Sequence, residues 1–424
     1  MTHIKCCRVC ENKHIVEFLD LGNQPPANSL LKTATEKEPL YPLSLSWCPE
    51  CNLVQLNYTV DPKKLFSNYV WVTGTSHTAQ DHAQMFYREI VTRVHDLNKG
   101  YVLEVASNDG TFLQPFVKNK YLVLGVDPAE NIVKIAIAQG IPTKCSFFGV
   151  QVAEEILKQH GPAKVVIARN VLPHVAHLHD FVDGLSRVLE TDGLLALEVH
   201  YAGRIYDELH YDSIYHEHLC YFTLKSVEAL LHRFGLFVVD INESPISGGS
   251  LILYVKKNKE AEAHTVQSYR DTEQKKKLND LSSWQDFSRR VHVHREQLLK
   301  MMKEVTDASG PLVGYGASAR SSTLLNYCGI DTQYISLIAD QNPLKHKRYT
   351  AGTHIPIDSP EQVMSKNPKC VFILAWNFTD EIITILKKRF NYTGTCIIPL
   401  PNTPAMMSVC DYNADKRKKN EGSL

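Results

Sequence analysis

Residues 101–110 have the sequence YVLEVASNDG, which is the clearest local indication of the fold. An apolar run leads into an acidic residue, small residues and a glycine, and the helical pattern TFLQPF follows at residues 111–116. Strand, tight turn and helix in this order are typical of the first β-turn-α unit of a nucleotide-binding sheet. We therefore expect an α/β domain with a ligand crevice at this turn. Similar turns also occur as purely structural features, so the signal alone is weak.

The charge of the turn favours one class of cofactor. The next apolar run, residues 121–126, ends on Asp127, which is placed to accept hydrogen bonds from ribose hydroxyls. Ser107, Asn108 and Asp109 replace the middle glycines of a dinucleotide fingerprint and add negative charge. That charge would repel a pyrophosphate, but it suits a cationic sulfonium such as S-adenosylmethionine (SAM).

Further strands and helices alternate up to about residue 255, which predicts a parallel sheet covered on both faces. The apolar runs are 164–168, 194–199, 236–240 and 250–254, and the helical patterns are 131–139, 150–159, 178–188 and 225–234. Asn170 and His174 directly follow the first of these runs, so we expect them over the same crevice as Glu104 and Asp127. The candidate cofactor residues are Glu104, Ala106, Asn108, Asp109, Gly110, Asp127, Pro128 and Asn170.

Length and charge narrow the class of protein. A chain of 424 residues suggests three domains. Lys plus Arg equal Asp plus Glu at 46 each, which argues against a nucleic-acid or membrane-surface partner. No apolar run is long enough to span a membrane, and the N-terminus lacks the apolar segment of a signal peptide, so we expect a cytoplasmic protein.

Two C-x2-C pairs near the N-terminus predict a metal site. Cys7 and Cys10 form one pair, and Cys48 and Cys51 form the other. Each pair can supply two corners of a tetrahedron, so together they predict one structural zinc ion, with free thiols or a redox pair as the alternatives. Cys6 is the expected bystander, although it could replace Cys7. We expect Cys145, Cys328, Cys370 and Cys396 to be small core residues.

The densest group of reactive side chains is YHEHLCYF at residues 215–222. The two histidines lack the H-E-x-x-H spacing of a helical zinc site, so general acid/base chemistry is the favoured interpretation. A metal site and a polar loop satisfied by its own hydrogen bonds are the alternatives. An earlier loop, residues 65–77, is rich in aromatic, hydroxyl and glycine residues and contains Tyr69. This loop either lines a ligand or joins two domains.

Residues 256–305 are charged and helical, with Trp284, Phe287, Val291 and Leu298 on one face.

A second nucleotide-type turn lies in the C-terminal third. The turn GYGASAR at 314–320 and Asp340 would normally suggest NAD. Arg320 and the basic residues 345–348 would serve equally well for a diphosphate on another ligand. We expect the polar tail from residue 411 to be disordered.

Taken in order, these motifs resemble a known family. The two C-x2-C pairs, EVASNDG, NVLPH, YHEHLCYFT and the late GYGASAR, LLNYCGI, DQNP and GTHIPI resemble the zinc-containing, SAM-dependent sugar C-methyltransferases. That family methylates C-3 of nucleotide-linked 4-keto-deoxysugars. The resemblance implies an α/β protein in which a class I methyltransferase Rossmann-like domain is flanked by a small N-terminal zinc-binding domain and a C-terminal Rossmann-like domain.

The resemblance also implies domain limits. Residues 1–65 would bind zinc and residues 66–255 would bind SAM. Residues 256–410 would form a helical linker and the C-terminal domain that helps to form the sugar-nucleotide cleft, and residues 411–424 would be a tail. The implied partner is a nucleotide-diphosphate sugar, with no nucleic acid or membrane. The oligomeric state stays open, a monomer being one option.

By the same resemblance, five residues line the reaction site: Tyr69, His174, Tyr215, Glu217 and His218. We expect His218 to be the base, held by Glu217, with Tyr215 and His174 as oxyanion donors or proton shuttles. Ala106 departs from the glycine that family members commonly carry. An NAD-dependent nucleotide-sugar oxidoreductase, a SAM-dependent O-methyltransferase and a non-catalytic zinc-ribbon protein are the rival interpretations.

Overall fold

A computed structural model describes residues 2–66, 72–75, 77–244 and 249–412. The chain divides into two compact units, each built from separated segments. The first unit comprises Met1–Glu17, Leu45–Gly203 and Glu217–Ser283, and the second comprises Phe18–Ser44, Arg204–His216 and Trp284–Leu424. This division interleaves the two units along the chain, and the domain limits expected from the sequence stay a prediction.

Strands and helices alternate along the described chain. The strands are β1 Thr2–His3, β2 Val16–Gln24, β3 Tyr41–Trp47, β4 Val54–Leu56, β5 Tyr58–Thr59, β6 Tyr101–Val105, β7 Leu122–Asp127, β8 Thr143–Cys145, β9 Ala163–Arg169, β10 Leu189–His200, β11 Cys220–Tyr221, β12 Phe237–Ser244, β13 Ser250–Lys256, β14 Leu312–Tyr315, β15 Ile335–Ala339, β16 Arg348–Tyr349, β17 Pro356–Asp358, β18 Cys370–Ile373, β19 Thr395–Ile398 and β20 Ala405–Ser408. The α-helices are α1 Pro62–Phe66, α2 His77–Arg93, α3 Gln114–Lys118, α4 Glu130–Ala138, α5 Val150–His160, α6 Leu178–Val188, α7 Ala202–Glu208, α8 Leu224–His232, α9 His264–Lys275, α10 Leu281–Ser309, α11 Ala319–Cys328, α12 Pro360–Met364 and α13 Thr379–Phe390.

The first unit is built on a seven-stranded sheet in the order β12-β13-β10-β9-β6-β7-β8. The strands from β10 to β8 pair in parallel, whereas β13 is antiparallel to both of its neighbours. The expectation of an all-parallel sheet was therefore wrong at β13, the second strand from one edge, because the short connection from β12 leaves no room for a crossover helix. The strand order and the antiparallel β13 confirm the expected class I methyltransferase fold.

Alternate side chains of the parallel strands form the core of this sheet. Val102, Val165 and Ile167 are buried together with residues of α2, including Phe86 and Ile90. Strand β8 was not expected, because its three residues carry no apolar run. The position of β8 at the sheet edge also explains one error: Cys145 is exposed and is not a core residue. Burial is confirmed for the other three, Cys328, Cys370 and Cys396.

The second unit contains a seven-stranded sheet in the order β16-β17-β15-β14-β18-β19-β20. Its five central strands are parallel, and antiparallel strands β16 and β20 close the edges. This arrangement agrees with the expected Rossmann-like domain. The expected apolar face of the long helix α10 is confirmed, since Trp284, Phe287, Val291 and Leu298 are all buried. Among the described helices, none is both long and apolar enough to cross a membrane.

Candidate active site

The turn after β6 has an unusual backbone. Ala106, Asn108 and Gly110 adopt φ values of 58°, 51° and 79°. These alternate positions are in the left-handed region, which costs an L-residue other than glycine about 1–2 kcal/mol. The loop therefore has the positive φ angles that favour glycine, although only one of the three residues is glycine. Ala106 adopts this conformation at the cost of local backbone strain.

Two carboxylates brace this turn. Asp127, at the end of β7, accepts the N–H groups of Asn108 and Ala129 at 2.9 Å each, so its neighbour Pro128 is held beside the turn. Asp109 is buried and accepts the N–H of Gly74 at 2.9 Å and the hydroxyl of Thr111 at 2.7 Å. Burial raises the pKa of Asp127 from its ordinary value. The attraction of Asp109 for a sulfonium stays a prediction, since its carboxylate also has this bracing role.

The turn suits a polar cofactor. Ser107 Oγ and Glu104 Oε2 are buried, and neither has a hydrogen-bond partner among the described residues. Buried polar atoms of folded proteins are almost always paired, so two such atoms at the carboxyl ends of parallel strands indicate a place for a polar ligand. The residues present therefore fit SAM, with Glu104 and Ser107 as the groups that would hold it.

A buried ionic cluster beside the turn was missed by the sequence analysis. Arg169 Nε donates to Glu198 Oε2 at 2.8 Å, and its Nη1 lies 3.8 Å from Glu104 Oε1. The other oxygen of Glu198 accepts the hydroxyl of Ser244 at 2.7 Å and lies 3.3 Å from His82 Nε2. Burial raises the pKa of Glu104 to about 8, although Arg169 opposes this shift.

Three histidines gather near the end of β9. The 3₁₀ turn Leu172–His174 follows Asn170, and the carbonyl of Pro173 accepts the N–H of Leu219 at 2.7 Å. This bond ties the segment of His218 to the turn of His174, and the two imidazole rings lie 4.8 Å apart, edge to face. The third ring, His200 at the end of β10, lies 6.3 Å from His218.

His200 is a candidate site residue that the sequence analysis missed. It is buried, and it ends the apolar run of β10 without any motif around it. The sequence signal that could have identified it was its position at the end of an apolar strand. Because β10 and β9 are parallel neighbours, their carboxyl ends lie at the same edge of the sheet. The expected grouping of Asn170 with Glu104 is consistent with the direct pairing of β9 and β6.

The Y-H-E-H segment is divided between the two units. Tyr215 and His216 belong to the second unit, whereas Glu217 and His218 belong to the first. His216 is buried, and its Nε2 lies 3.3 Å and 3.2 Å from the carbonyls of Tyr41 and Pro42 in its own unit. Burial lowers the pKa of His216, which fits a structural role. Tyr69 lies outside the described residues, so its expected role stays a prediction.

The four cysteines form one compact cluster. Their Sγ atoms all lie within 4.8 Å of one another, with Cys7–Cys51 at 3.3 Å and Cys10–Cys48 at 3.4 Å. Four thiolates in this arrangement fit a tetrahedral zinc ion, and they leave no open coordination position. Cys6 is not one of the four. The predicted ligand set is therefore the set that the fold brings together.

The two cysteine knuckles have the same backbone. Glu11 and Asn52, each directly after the second cysteine of its pair, have φ values of 64° and 60°. Their N–H groups donate to the carbonyls of Cys7 and Cys48 at 3.0 and 2.9 Å. Each knuckle thus closes on itself, and the four sulfur atoms converge on one place where a zinc ion would bind.

Hydrogen bonds with nearby charged residues stabilise the turn between β14 and α11. Asp340 Oδ2 accepts the N–H of Ala317 at 2.8 Å, and Lys345 Nζ donates to the same oxygen at 3.1 Å and to the carbonyl of Ala317 at 2.8 Å. The carbonyl of Asp340 lies 2.7 Å from His346 Nε2. Lys345 and His346 therefore hold the turn together, and this engages two of the basic residues that were candidates for a diphosphate.

Comparison with protein families covers nearly the whole chain. Residues 7–66 match a zinc binding domain, residues 79–241 match a methyltransferase domain, and residues 245–401 match the C-methyltransferase C-terminal domain. The C-methyltransferase NovU of Streptomyces niveus is 31% identical over 401 residues, which are 93% of this chain and 95% of that protein.

Solved structures of lower similarity match part of the chain. Magnesium protoporphyrin IX methyltransferase from Synechocystis PCC 6803, with bound SAM, is 14% identical, with a TM-score of 0.31 over 43% of this chain and 84% of that one. A SAM-dependent methyltransferase from Archaeoglobus fulgidus is 15% identical, with a TM-score of 0.32 over 41% of this chain and 94% of that one.

Proposed function

The chain belongs to the zinc-containing, SAM-dependent C-methyltransferases, and from this premise we propose that it methylates C-3 of a nucleotide-diphosphate-linked 4-keto-deoxysugar. The observation that carries the proposal is the edge-to-face contact of His218 with His174, which lies shortly after β9, the strand that pairs with β6. C-methylation needs a base near the methyl donor, because a carbon bound to hydrogen is not a nucleophile until its proton is removed.

The proposed reaction starts with His218 as the base. The 4-keto group acidifies the proton on C-3, His218 takes that proton, and the C–H electron pair moves into an enolate whose negative charge lies on the C-4 oxygen. When bound, SAM would supply an electrophilic methyl group for the enolate carbon, and its C–S bond would be the bond that breaks. A positioned base contributes about 10²- to 10⁴-fold to such a step.

The neighbouring histidine supports His218 rather than His174 as the base. Desolvation lowers the pKa of His174 to about 4, although the carbonyls of Glu217 and Asn170 oppose the shift. A group with so low a pKa holds a proton poorly at neutral pH, so it is a weak base, and its single N–H faces the carbonyls of Glu217 and Asn170. His174 is therefore proposed as a donor or proton shuttle that would have to exchange one of these carbonyls for the developing enolate oxygen.

Tyr215 and Glu217 complete the proposal. A phenol is a donor that can stabilise an enolate oxygen or pass a proton, and Tyr215 is three residues from His218 in sequence. Glu217 is buried directly before His218 and is proposed to orient its imidazole. Tyr215, Glu217 and His218 therefore have different proposed roles in the reaction. His216 has none, because its imidazole contacts two backbone carbonyls.

The test uses purified protein, labelled SAM and a panel of nucleotide-linked 4-ketosugars in deuterated water. The wild-type protein should exchange the C-3 proton and form a product whose new methyl carbon bonds to carbon in NMR spectra. His218→Ala should lose both activities by about 10²-fold or more, whereas the exposed control His95→Ala should keep them.

Two results would overturn the proposal. A product methylated on oxygen would identify an O-methyltransferase. Near-wild-type proton exchange and methyl transfer in His218→Ala would show that another residue is the base.

A further inference from the structure

The chain leaves the first unit and returns to it just before the proposed base. The segment Arg204–His216 belongs to the second unit, and the first unit resumes at Glu217. Tyr215 is therefore carried by a segment that packs with the C-terminal sheet, although it stands beside Glu217 and His218 in sequence. The contacts that hold this segment within the second unit decide where Tyr215 is placed.

One anchor is a buried carboxylate. Asp212 is 1% exposed, and its Oδ2 accepts the indole N–H of Trp376 at 2.7 Å. Arg320 Nε lies 3.7 Å from the same oxygen and compensates its charge, while the Arg320 guanidinium lies 5.2 Å from the Trp376 ring centre. The bond from Trp376 and the nearby guanidinium offset the cost of burying this carboxylate, although Asp212 Oδ1 has no hydrogen-bond partner among the described residues.

A second anchor lies one residue before Tyr215. The hydroxyl of Thr323, on α11, donates to the carbonyl of Ile214 at 2.7 Å, and both residues are fully buried. Further back in the segment, the Tyr211 hydroxyl lies 3.0 Å from His294 Nδ1. Three elements of the second unit thus contact residues 211, 212 and 214, and the last of these directly precedes Tyr215.

We propose that Thr323, Asp212 and Trp376 are positioning residues for Tyr215. This inference rests on the proposed function, in which Tyr215 touches the reacting sugar. A displacement of about 1 Å in a catalytic group can lower a rate by about 10²-fold, so anchors of the backbone next to Tyr215 control its contribution. They touch no reacting atom themselves.

The sharpest test removes one hydroxyl. Thr323→Val keeps the shape of the side chain but loses the bond to Ile214, whereas Thr323→Ser keeps the bond. Thr384→Val is the matched control, because the Thr384 hydroxyl also donates to a carbonyl, that of Asp380, at 2.7 Å in the same unit. We expect Thr323→Val to lower kcat about 10- to 100-fold with KM for SAM unchanged, and Thr323→Ser and Thr384→Val to behave like wild type.

A double variant tests whether Thr323→Val lowers kcat by displacing Tyr215. If it does, Thr323→Val with Tyr215→Phe should be no slower than Tyr215→Phe alone. Trp376→Phe, which removes the indole donor and keeps a ring, should repeat the pattern. Losses that multiply in the double variants, or wild-type kcat in Thr323→Val and Trp376→Phe, would overturn the inference.

Failure of the proposed function would give a different result from failure of the inference about Tyr215. In that case the wild-type protein itself would leave every 4-ketosugar unchanged while still binding S-adenosylhomocysteine. If Thr323→Val did not fold, Trp376→Phe with its own double variant would carry the same comparison, and a melting temperature measured for each variant separates loss of folding from loss of rate.

Discussion

Replacing Arg169 by methionine should destabilise the first unit strongly. The Arg169 side chain is 12% exposed and donates to Glu198, whose side chain is fully buried. Its guanidinium also lies 3.0 Å from the ring centre of Phe112. Methionine has a similar length and no charge, so Arg169→Met leaves the Glu198 carboxylate buried without its main cation.

The magnitude follows from the pKa of Glu198. Burial alone would raise this pKa, but Arg169 and His82 lower it to about 2, from an ordinary value of 4.5. At 1.36 kcal/mol per pKa unit, the net shift from burial and all partners of Glu198 corresponds to about 3 kcal/mol. Removal of one partner from a buried pair typically costs about 3–5 kcal/mol. We expect a loss in this range at neutral pH.

The assay is urea unfolding of wild type, Arg169→Met and a surface control. Arg187 also contacts two carboxylates, Asp183 at 3.0 Å and Glu154 at 3.1 Å, but its side chain is 47% exposed. Arg187→Met should therefore cost less than about 1 kcal/mol. Equal losses for the two variants would show that the buried pair of Arg169 and Glu198 stabilises the fold no more than a surface pair does.

The effect has a defined pH dependence. The folded-state pKa of Glu198 is lowered, so its stabilisation is present above about pH 4.5 and is lost as the pH falls towards 2. The difference in stability between wild type and Arg169→Met should therefore shrink below pH 4.5. A difference that stayed constant down to pH 3 would assign the loss to packing against Phe112.

Three other outcomes are expected. Burial raises the pKa of Glu104 to about 8, so wild-type stability should fall as the pH rises from about 4.5 to 8, and Glu104→Gln should flatten this fall in urea unfolding at pH 5 and 8. Cys48→Ser should lower zinc below one ion per chain in metal analysis and destabilise the N-terminal segment, whereas the exposed Cys145→Ser should keep its zinc. Gly110→Ala should weaken S-adenosylhomocysteine binding in calorimetry, because the residue has a φ of 79° and a Cβ there would lie 2.7 Å from Ile141.

Local patterns predicted the elements that are continuous in sequence. The turn at 104–110, the two cysteine knuckles and the apolar face of α10 each have a signal within a few residues, and each is in the structure. Helix α6 has the predicted bounds, Leu178–Val188, because its apolar period is complete.

The sequence could not reveal groups whose members come from distant segments. Arg169, Glu198, His82 and Ser244 lie on four different elements, and no spacing relates them. The division of the Y-H-E-H segment between two units was hidden for the same reason. Three buried contacts, including that of Asp212 with Trp376, hold the segment before it, and their partners are more than 80 residues away.

The two nucleotide-type turns show why an acid after the second strand is a poor guide to the ligand. Asp127 and Asp340 make the same pair of bonds, each accepting one N–H from the turn and one from the residue two positions further on. In both units the carboxylate is therefore a brace for the turn. Lys345 also binds Asp340, so a ribose would have to compete with an ammonium group for that oxygen. The residue that favoured NAD in the sequence thus has a structural use, and the oxidoreductase interpretation loses its main support.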